Sequence, residues 1–259
     1  MKKFITNKIV LFTLGIITLI LMWWGVSSLV DKGNMIFPSP KATFLMIIDL
    51  LKMSSTYQAI GNTFLRLIIG FVLSFVLAFV LGVIVHDNEH LYSFFNPIIT
   101  FFKSVPTATI VFLFFALSGI KNAPIYVVMT VTFPILYESI VNSFKQTETE
   151  VVNSAMVDGA SNLKILFRIK LPVGFNQILL GITSSFALAF KVAIMAEILS
   201  GITRGGIGAL IKGAQNLYPT DLTMMFAYSF IAVFFILIIS FVANLVKSKL
   251  LKKSLNFIY

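Results

Sequence analysis

The residues able to do chemistry are few, and most gather in short polar stretches between long apolar runs. His86-Asp87-Asn88-Glu89-His90 has the spacing His-x-x-Glu-His, in which two histidines could hold zinc while the glutamate acts as a base. That chemistry needs a stable helix and a further acidic ligand, and Asp87-Asn88 disfavours a helix interior. The stretch reads better as a solvated turn, with no metal site. Gly201, Gly205, Gly206 and Gly208 crowd one loop as phosphate cradles do, but no Gly-x-x-x-x-Gly-Lys-Ser/Thr occurs anywhere in the chain. ATP is therefore not bound here by a P-loop, and Gly205, Gly206 and Gly208 read as part of a gate or docking loop. The chain has no cysteine, so disulfides, thiol catalysis and thiolate metal sites are excluded together.

Three further ionisable groups, Glu138, Lys191 and Glu197, fall within or near the ends of apolar runs, where burying a charge is costly. Lys191 and Glu197 are too far apart in sequence to form a pair on one helix face. Lys191 is a candidate to line a translocation path, against a structural or snorkelling role. Glu197 is a candidate gate residue, and Glu138 reads as interfacial.

The elements that position these groups follow from composition. Of 259 residues, 58% are hydrophobic and 12% charged, about half the charged share of a soluble domain. Too little polar surface exists to wrap a water-soluble globule, and the apolar runs are too long, and lack the period of two, for a barrel. The expected fold is an all-α membrane protein of about six spans. The net charge of +10 fits positive-inside bias and attraction to the lipid bilayer. With no soluble part to carry a basic face, nucleic-acid binding is excluded.

The spans are read as Ile9–Val30, Thr63–Val85, Ile98–Leu117 with Pro106 near its start, Pro124–Phe144 interrupted by Pro134, Gly174–Leu199 and Thr223–Val246. The first is too long for a cleaved signal peptide and reads as retained. Trp23 and Trp24 read as interfacial anchors. Phe37-Pro38-Ser39-Pro40 should stop any helix, with an amphipathic piece at Phe44–Leu51 after it. This divides the chain into residues 1–62 (first span and amphipathic segment), a core at 63–246 that includes the loop 145–172, and a basic tail at 247–259. Twelve Lys and Arg, among them Lys2, Lys3, Lys252 and Lys253, fall on the side holding both ends. Seven, among them Lys32, Arg66 and Arg204, fall on the other. Both termini are therefore expected in the cytoplasm.

The loop 145–172 lies on that same cytoplasmic side. It reads as two short helices, Glu148–Val157 and Ser161–Lys170, with Gly159 at the left-handed C′ position of the first. Ser161 or Asn162 caps the second and Pro172 stops it. Exposed Val, Ile and Phe on a rigid elbow suit a groove on a soluble partner; a loop lying in the headgroup layer fits the residues equally well.

The loop resembles that of importer permeases of the ATP-binding-cassette (ABC) superfamily, which carry Glu-Ala-Ala, three residues, Gly, nine residues, then Ile-x-Leu-Pro. Here Asn153-Ser154-Ala155 precedes Gly159, and Ile169-Lys170-Leu171-Pro172 follows at the same spacing. Asn153 and Ser154 replace Glu and Ala, while Glu150 supplies an acidic group one turn earlier. Phe37-Pro38-Ser39-Pro40, Phe102-Lys103-Ser104-Val105-Pro106, Ala196-Glu197-Ile198-Leu199 and Gly205-Gly206-Ile207-Gly208 are similar to Leu-Pro-Ser-Pro, Leu-Arg-Ser-Ile-Pro, Ala-Glu-Leu-Leu and Gly-Leu-Gly of the nitrate/sulfonate/taurine type.

The resemblance implies a cytoplasmic coupling helix between spans four and five, with Glu150, Asn153, Ser154, Ala155, Gly159, Ile169, Leu171 and Pro172 as the ATPase-coupling residues. It implies a bacterial inner-membrane permease with no catalytic residues and no cofactor of its own. ATP and Mg would be bound by partner ATPase subunits, and an extracytoplasmic solute-binding protein would deliver a small anion or vitamin-precursor heterocycle. A second permease subunit, most simply another copy, would complete the path. The alternatives are a stand-alone secondary transporter, which commonly shows two related halves, or a membrane-embedded enzyme, for which convergent catalytic groups are lacking.

Overall fold

The computed structural model describes residues 8–30, 37–201 and 205–255. Lys2, Lys3, Lys32 and Arg204 of the charge count, and the last four residues of the tail, lie outside the described residues. Among the described residues, all the regular structure is helical. In chain order the helices are α1 (Lys8–Val30), α2 (Pro40–Leu51), α3 (Ser54–Val85), α4 (Glu89–Ser104), α5 (Thr107–Ser118) and α6 (Ala123–Phe144). They continue with α7 (Thr149–Val157), α8 (Asn162–Ile165), α9 (Leu171–Ser200), α10 (Ile207–Leu217) and α11 (Thr223–Leu255). A π-helical turn, Leu166–Lys170, joins α8 to α9 into one helix of 39 residues, Asn162–Ser200.

Among the described residues, five helices are long and apolar enough to cross a membrane, and a sixth crossing exists if α4 and α5 count as one. That pair is bent by 97° at Val105-Pro106, so the expected straight span Ile98–Leu117 is corrected to a broken one. Proline removes a helix hydrogen bond and forces the preceding residue into extended backbone, and Val105 has φ −69° and ψ 126°. The expected division at 62/63 also falls inside a helix. α3 begins at Ser54, because a hydropathy window detects lipid-matched residues and passes over a polar first turn. Phe37-Pro38-Ser39 lies outside any helix, as expected, and the helix that follows, which includes Phe44–Leu51, already begins at Pro40. Ser39 caps α2 by accepting the Ala42 N–H at 3.3 Å, and Pro40 sits where no N–H is needed. Trp23 is no simple interfacial anchor. Its indole donates to the Pro38 carbonyl at 3.1 Å and stacks on Phe230 of α11 at 4.8 Å.

The core is built around α6, which lies between α3 and α9 and is buried along most of its length. Lipid tails are as apolar as leucine, so helices in a membrane are held by close packing and interhelical hydrogen bonds. Both are present. A Cβ on Gly70 of α3 would stand 2.4 Å from the Ile125 carbonyl oxygen, and one on Gly174 of α9 would stand 2.4 Å from that of Ser143. Only glycine lets the backbones meet so closely. Thr132 of α6 donates to Ser74 of α3 at 2.9 Å, and Ser139 of α6 donates to the Gln177 carbonyl of α9 at 2.6 Å.

Gly70→Ala should therefore lower stability by about 1–3 kcal/mol, the usual effect of overpacking. Gly61→Ala, on the same helix with nothing within 4 Å of the added carbon, should not destabilise, since alanine is the better helix former. Thermal unfolding of the purified chain in detergent checks the pair; equal effects would contradict the packing.

Candidate functional site

The arm of the elbow is exposed along most of its length. None of α7 is buried, and Val157 at its end is 88% exposed, with Val151, Met156, Leu163 and Phe167 also standing out. Its shape is nevertheless tightly specified. The Ala160 N–H donates to the Ala155 carbonyl at 2.9 Å and the Gly159 N–H to that of Met156 at 3.0 Å, with Gly159 at φ 78°. These are the two bonds of a Schellman cap, which holds α7 at a fixed angle to α8. Glu150, Asn153 and Ser154 lie exposed on α7, and Ala155 is half-buried toward the bend.

Beyond the bend there is no second free helix. Ser161 stands at the N-terminus of α8, but Pro172 does not stop that helix; it occupies the second position of α9. The π turn explains how. The Leu171 N–H bonds back to the Leu166 carbonyl, and the widened turn makes room for the proline ring. Ile165, Leu166 and Lys170 are buried, Ile169 and Leu171 are half-buried and Pro172 is exposed. The expected pair of short helices is thus corrected: α7 is the free arm and the rest is the root of a long span.

Beside that root, Lys170 forms a short ion pair with Asp87, which immediately follows α3, and the lysine side chain is only 10% exposed. The other Asp87 oxygen lies 2.8 Å from Nε2 of His86. His86 Nδ1 lies 2.6 Å from the Val83 carbonyl, and its ring packs edge-on against Phe144 of α6. The segment is a turn with Asp87, Asn88 and Glu89 exposed, as expected, and through His86 and Asp87 it also joins α3 to α6 and α9. His90, by contrast, stands exposed on α4.

At the opposite end of the same helices lies a buried carboxylate. Glu197 is 2% exposed. Arg66 Nη1 donates to its Oε1 at 2.8 Å; the Thr63 hydroxyl at 2.8 Å and the Gly208 N–H at 3.1 Å donate to its Oε2. The Thr63 oxygen accepts the Ile207 N–H at 2.9 Å. The carboxylate therefore sits at the N-terminus of α10, where free N–H groups and the helix dipole favour negative charge. This explains the glycines. A Cβ on Gly206 would stand 2.1 Å from Glu197 Oε1, and one on Gly208 2.5 Å from the Ile194 carbonyl oxygen. Gly205 packs against the Arg66 guanidinium at φ 145°. The glycine-rich loop is in large part a helix, α10, laid onto Glu197.

Sequence reading singled out Glu197 and the glycines but missed Thr63 and Arg66. An arginine in an apolar run was the available signal, because such a charge requires a partner. Lys191 stands apart from this cluster, exposed on α9, and no ion pair of the described residues reaches it. It shares a mixed face with Asn176, Ser184 and the exposed Val173 and Leu180, whereas the exposed faces of α3 (Val72, Val76, Val80) and α11 (Phe234, Leu237, Phe241) carry no charge. Glu138 pairs with Lys103 at 2.7 Å, joining the end of α4 to α6.

Glu197→Ala would leave Arg66 without a counter-charge and the Gly208 N–H without an acceptor, while the Thr63 hydroxyl would keep only the Ala59 carbonyl at 3.1 Å. Loss of one partner of a buried pair costs about 3–5 kcal/mol, and the lower end is expected because Arg66 remains 20% exposed. Glu197→Gln keeps one acceptor and should lose less. Unfolding in detergent measures both; an alanine variant as stable as the parent would contradict the arrangement.

The family model for the binding-protein-dependent transport system inner membrane component matches residues 70–253, which include α6, the elbow, the Asp87–Lys170 pair and Glu197. The ergothioneine transport permease/ergothioneine binding protein EgtU of Helicobacter pylori is 31% identical over 54% of this chain, which spans only 25% of that longer protein. The taurine transport system permease protein TauC of Escherichia coli is 22% identical over 84% of this chain and 81% of its own length. Among solved structures, an inward-facing conformation of the MetNI methionine ABC transporter superposes with a TM-score of 0.67 at 17% identity, covering 77% of this chain and 97% of that one. The chain belongs to the family of binding-protein-dependent transport system inner membrane components and is a non-catalytic permease subunit of an ABC transporter.

Proposed function

We propose that this chain lines the solute path of an ATP-driven importer as one of two identical permease copies, with the elbow in the cytoplasm gripped by an ATPase subunit. ATP and Mg belong to that ATPase. The carrying observation is the elbow itself, an arm with no buried residue, capped stiffly at Gly159 and rooted in a 39-residue helix. A stiff arm transmits a push, whereas a floppy loop absorbs it. Both termini then lie in the cytoplasm, and α10 with Gly205, Gly206 and Gly208 lies at the outer end, facing an extracytoplasmic binding protein. The solute is a small anion or a heterocycle. Relatives carry names for ergothioneine, taurine, riboflavin and molybdenum transport, a range that supports a small solute and no single one.

Lys191 lines the path in this reading. A charge facing hydrocarbon is costly, and a face carrying Asn176, Ser184 and Lys191 beside Leu180 suits water or a second copy, whereas the faces of α3 and α11 suit lipid.

Two measurements test this. Val157→Asp should keep the fold within about 0.5 kcal/mol, as for most surface changes, yet abolish co-purification with the ATPase subunit; retained binding would contradict the docking role. Because the chain has no cysteine, Lys191→Cys is a clean probe. In the assembled transporter it should react with a charged, membrane-impermeant thiol reagent at least tenfold faster than Leu237→Cys on the apolar face of α11. Equal rates would contradict a path-lining position.

A further inference from the structure

Two polar clamps hold α3 and the long helix Asn162–Ser200 together, one at each end. Thr63 and Arg66 at the start of α3 meet Glu197 near the end of α9, while Asp87 after the end of α3 meets Lys170 at the start of α9. The helices are therefore antiparallel, and the clamps stand about 30–40 Å apart at 1.5 Å of rise per residue. Between them α6 separates much of the two helices and is hydrogen-bonded to both, Thr132 to Ser74 and Ser139 to the Gln177 carbonyl, while the direct contact that remains is apolar, with Phe71 and Phe186 edge to face at 5.0 Å.

This arrangement opposes sliding. Packed helices can shift past each other by an ångström or two when their contact is apolar. Here any such shift pulls two ion pairs apart at once and leaves Glu197 and Lys170, whose side chains are 3% and 10% exposed, without their counter-charges, although Asp87 itself is 38% exposed. Lys170 also lies only three residues beyond Phe167, an exposed residue of the elbow root, so it is the first buried charge that a push on the elbow displaces. Displacing Lys170 alone would drag α9, and with it Glu197, away from Arg66 and Thr63 on a stationary α3.

We propose that Asp87 and Lys170 are positioning residues that recruit α3 into the movement of the elbow, so that α3 and α9 travel as one beam and carry the Gly206–Gly208 loop at the far end with them. The inference rests on the importer reading and adds the joint through which the arm acts. Lys170 belongs to the stretch matched to the family's loop, but Asp87 lies far from it in sequence, and neither side chain is predicted to meet the other by spacing alone.

The test uses the complete transporter, with its ATPase and binding protein, in lipid nanodiscs. Spin labels are placed on the elbow root at Lys164→Cys and, in a separate preparation, on α10 at Leu217→Cys, both exposed. Distances across the two permease copies are read without nucleotide and after vanadate trapping with ATP and Mg. In the parent both labels should shift. With Asp87→Asn the elbow shift and ATP hydrolysis persist while the Leu217 shift is lost; Asp87→Glu, which keeps the charge, retains it. If Asp87→Asn moves both labels as the parent does, the inference is overturned. If Asp87→Asn does not assemble, Asp87→Glu decides: recovery of assembly with the Leu217 shift supports the pair, and assembly without that shift overturns it. A parent in which neither label moves on trapping overturns the importer reading itself, and the joint with it.

Discussion

A carboxylate that is 2% exposed, at the end of a membrane span, must be fully partnered within the protein, because hydrocarbon offers no substitute for water. Glu197 meets that constraint by gathering groups from two neighbouring helices: Thr63 and Arg66 from α3, and the Gly208 N–H from α10. The rest of the far end is arranged to permit it. The loop after α9 must lie directly on the carboxylate, which is why side chains are excluded at Gly206 and Gly208, and α10 must begin there, so that its N-terminus faces the charge. One buried carboxyl group thus sets the position of a helix and a loop.

The opposite end obeys the same constraint with different residues. Lys170 is buried at the root of the elbow and takes Asp87 as its counter-charge. Between the two ends the contacts are of the kind that membrane helices use, with glycine against backbone and hydroxyl against hydroxyl or carbonyl. α6 fills the space between α3 and α9 and offers almost no surface of its own. The resulting body is stiff where it is clamped, while α7 projects from it as an arm with no buried residue. A solid frame with an exposed arm suits the proposed role, in which an ATPase subunit pushes on the arm and the frame converts that push into an opening.

Much of this was legible in the sequence, for identifiable reasons. The apolar runs announced the spans because lipid imposes composition directly. Gly159 was legible as a helix terminator because left-handed backbone selects glycine, and the spacing from Ala155 to Pro172 pointed to the elbow. Other features were illegible because they depend on tertiary contact. Arg66 and Glu197 are 131 positions apart, so neither announces the other, although an arginine in an apolar run does announce that some partner exists. Pro172 was misread because its usual effect is to end a helix, and a π turn upstream absorbed that effect here. Asp87 is 38% exposed, as a turn residue should be, but nothing local shows that a lysine 83 positions later folds against it. The glycines at 205, 206 and 208 were assigned to a gate loop, but their reason, close approach to a buried carboxylate, exists only in three dimensions.

The central claim is that α7 is the arm held by a separate ATP-driven subunit, and one measurement addresses it most directly. A photoreactive amino acid placed at Ala155, on the side of α7 that turns toward the bend, reports what lies against the arm in intact cells. The account predicts that illumination joins this chain to an ATP-binding-cassette subunit, and that the yield changes when cellular ATP is depleted. Cross-links to lipid alone, with no ATP-binding subunit captured under either condition, would contradict it.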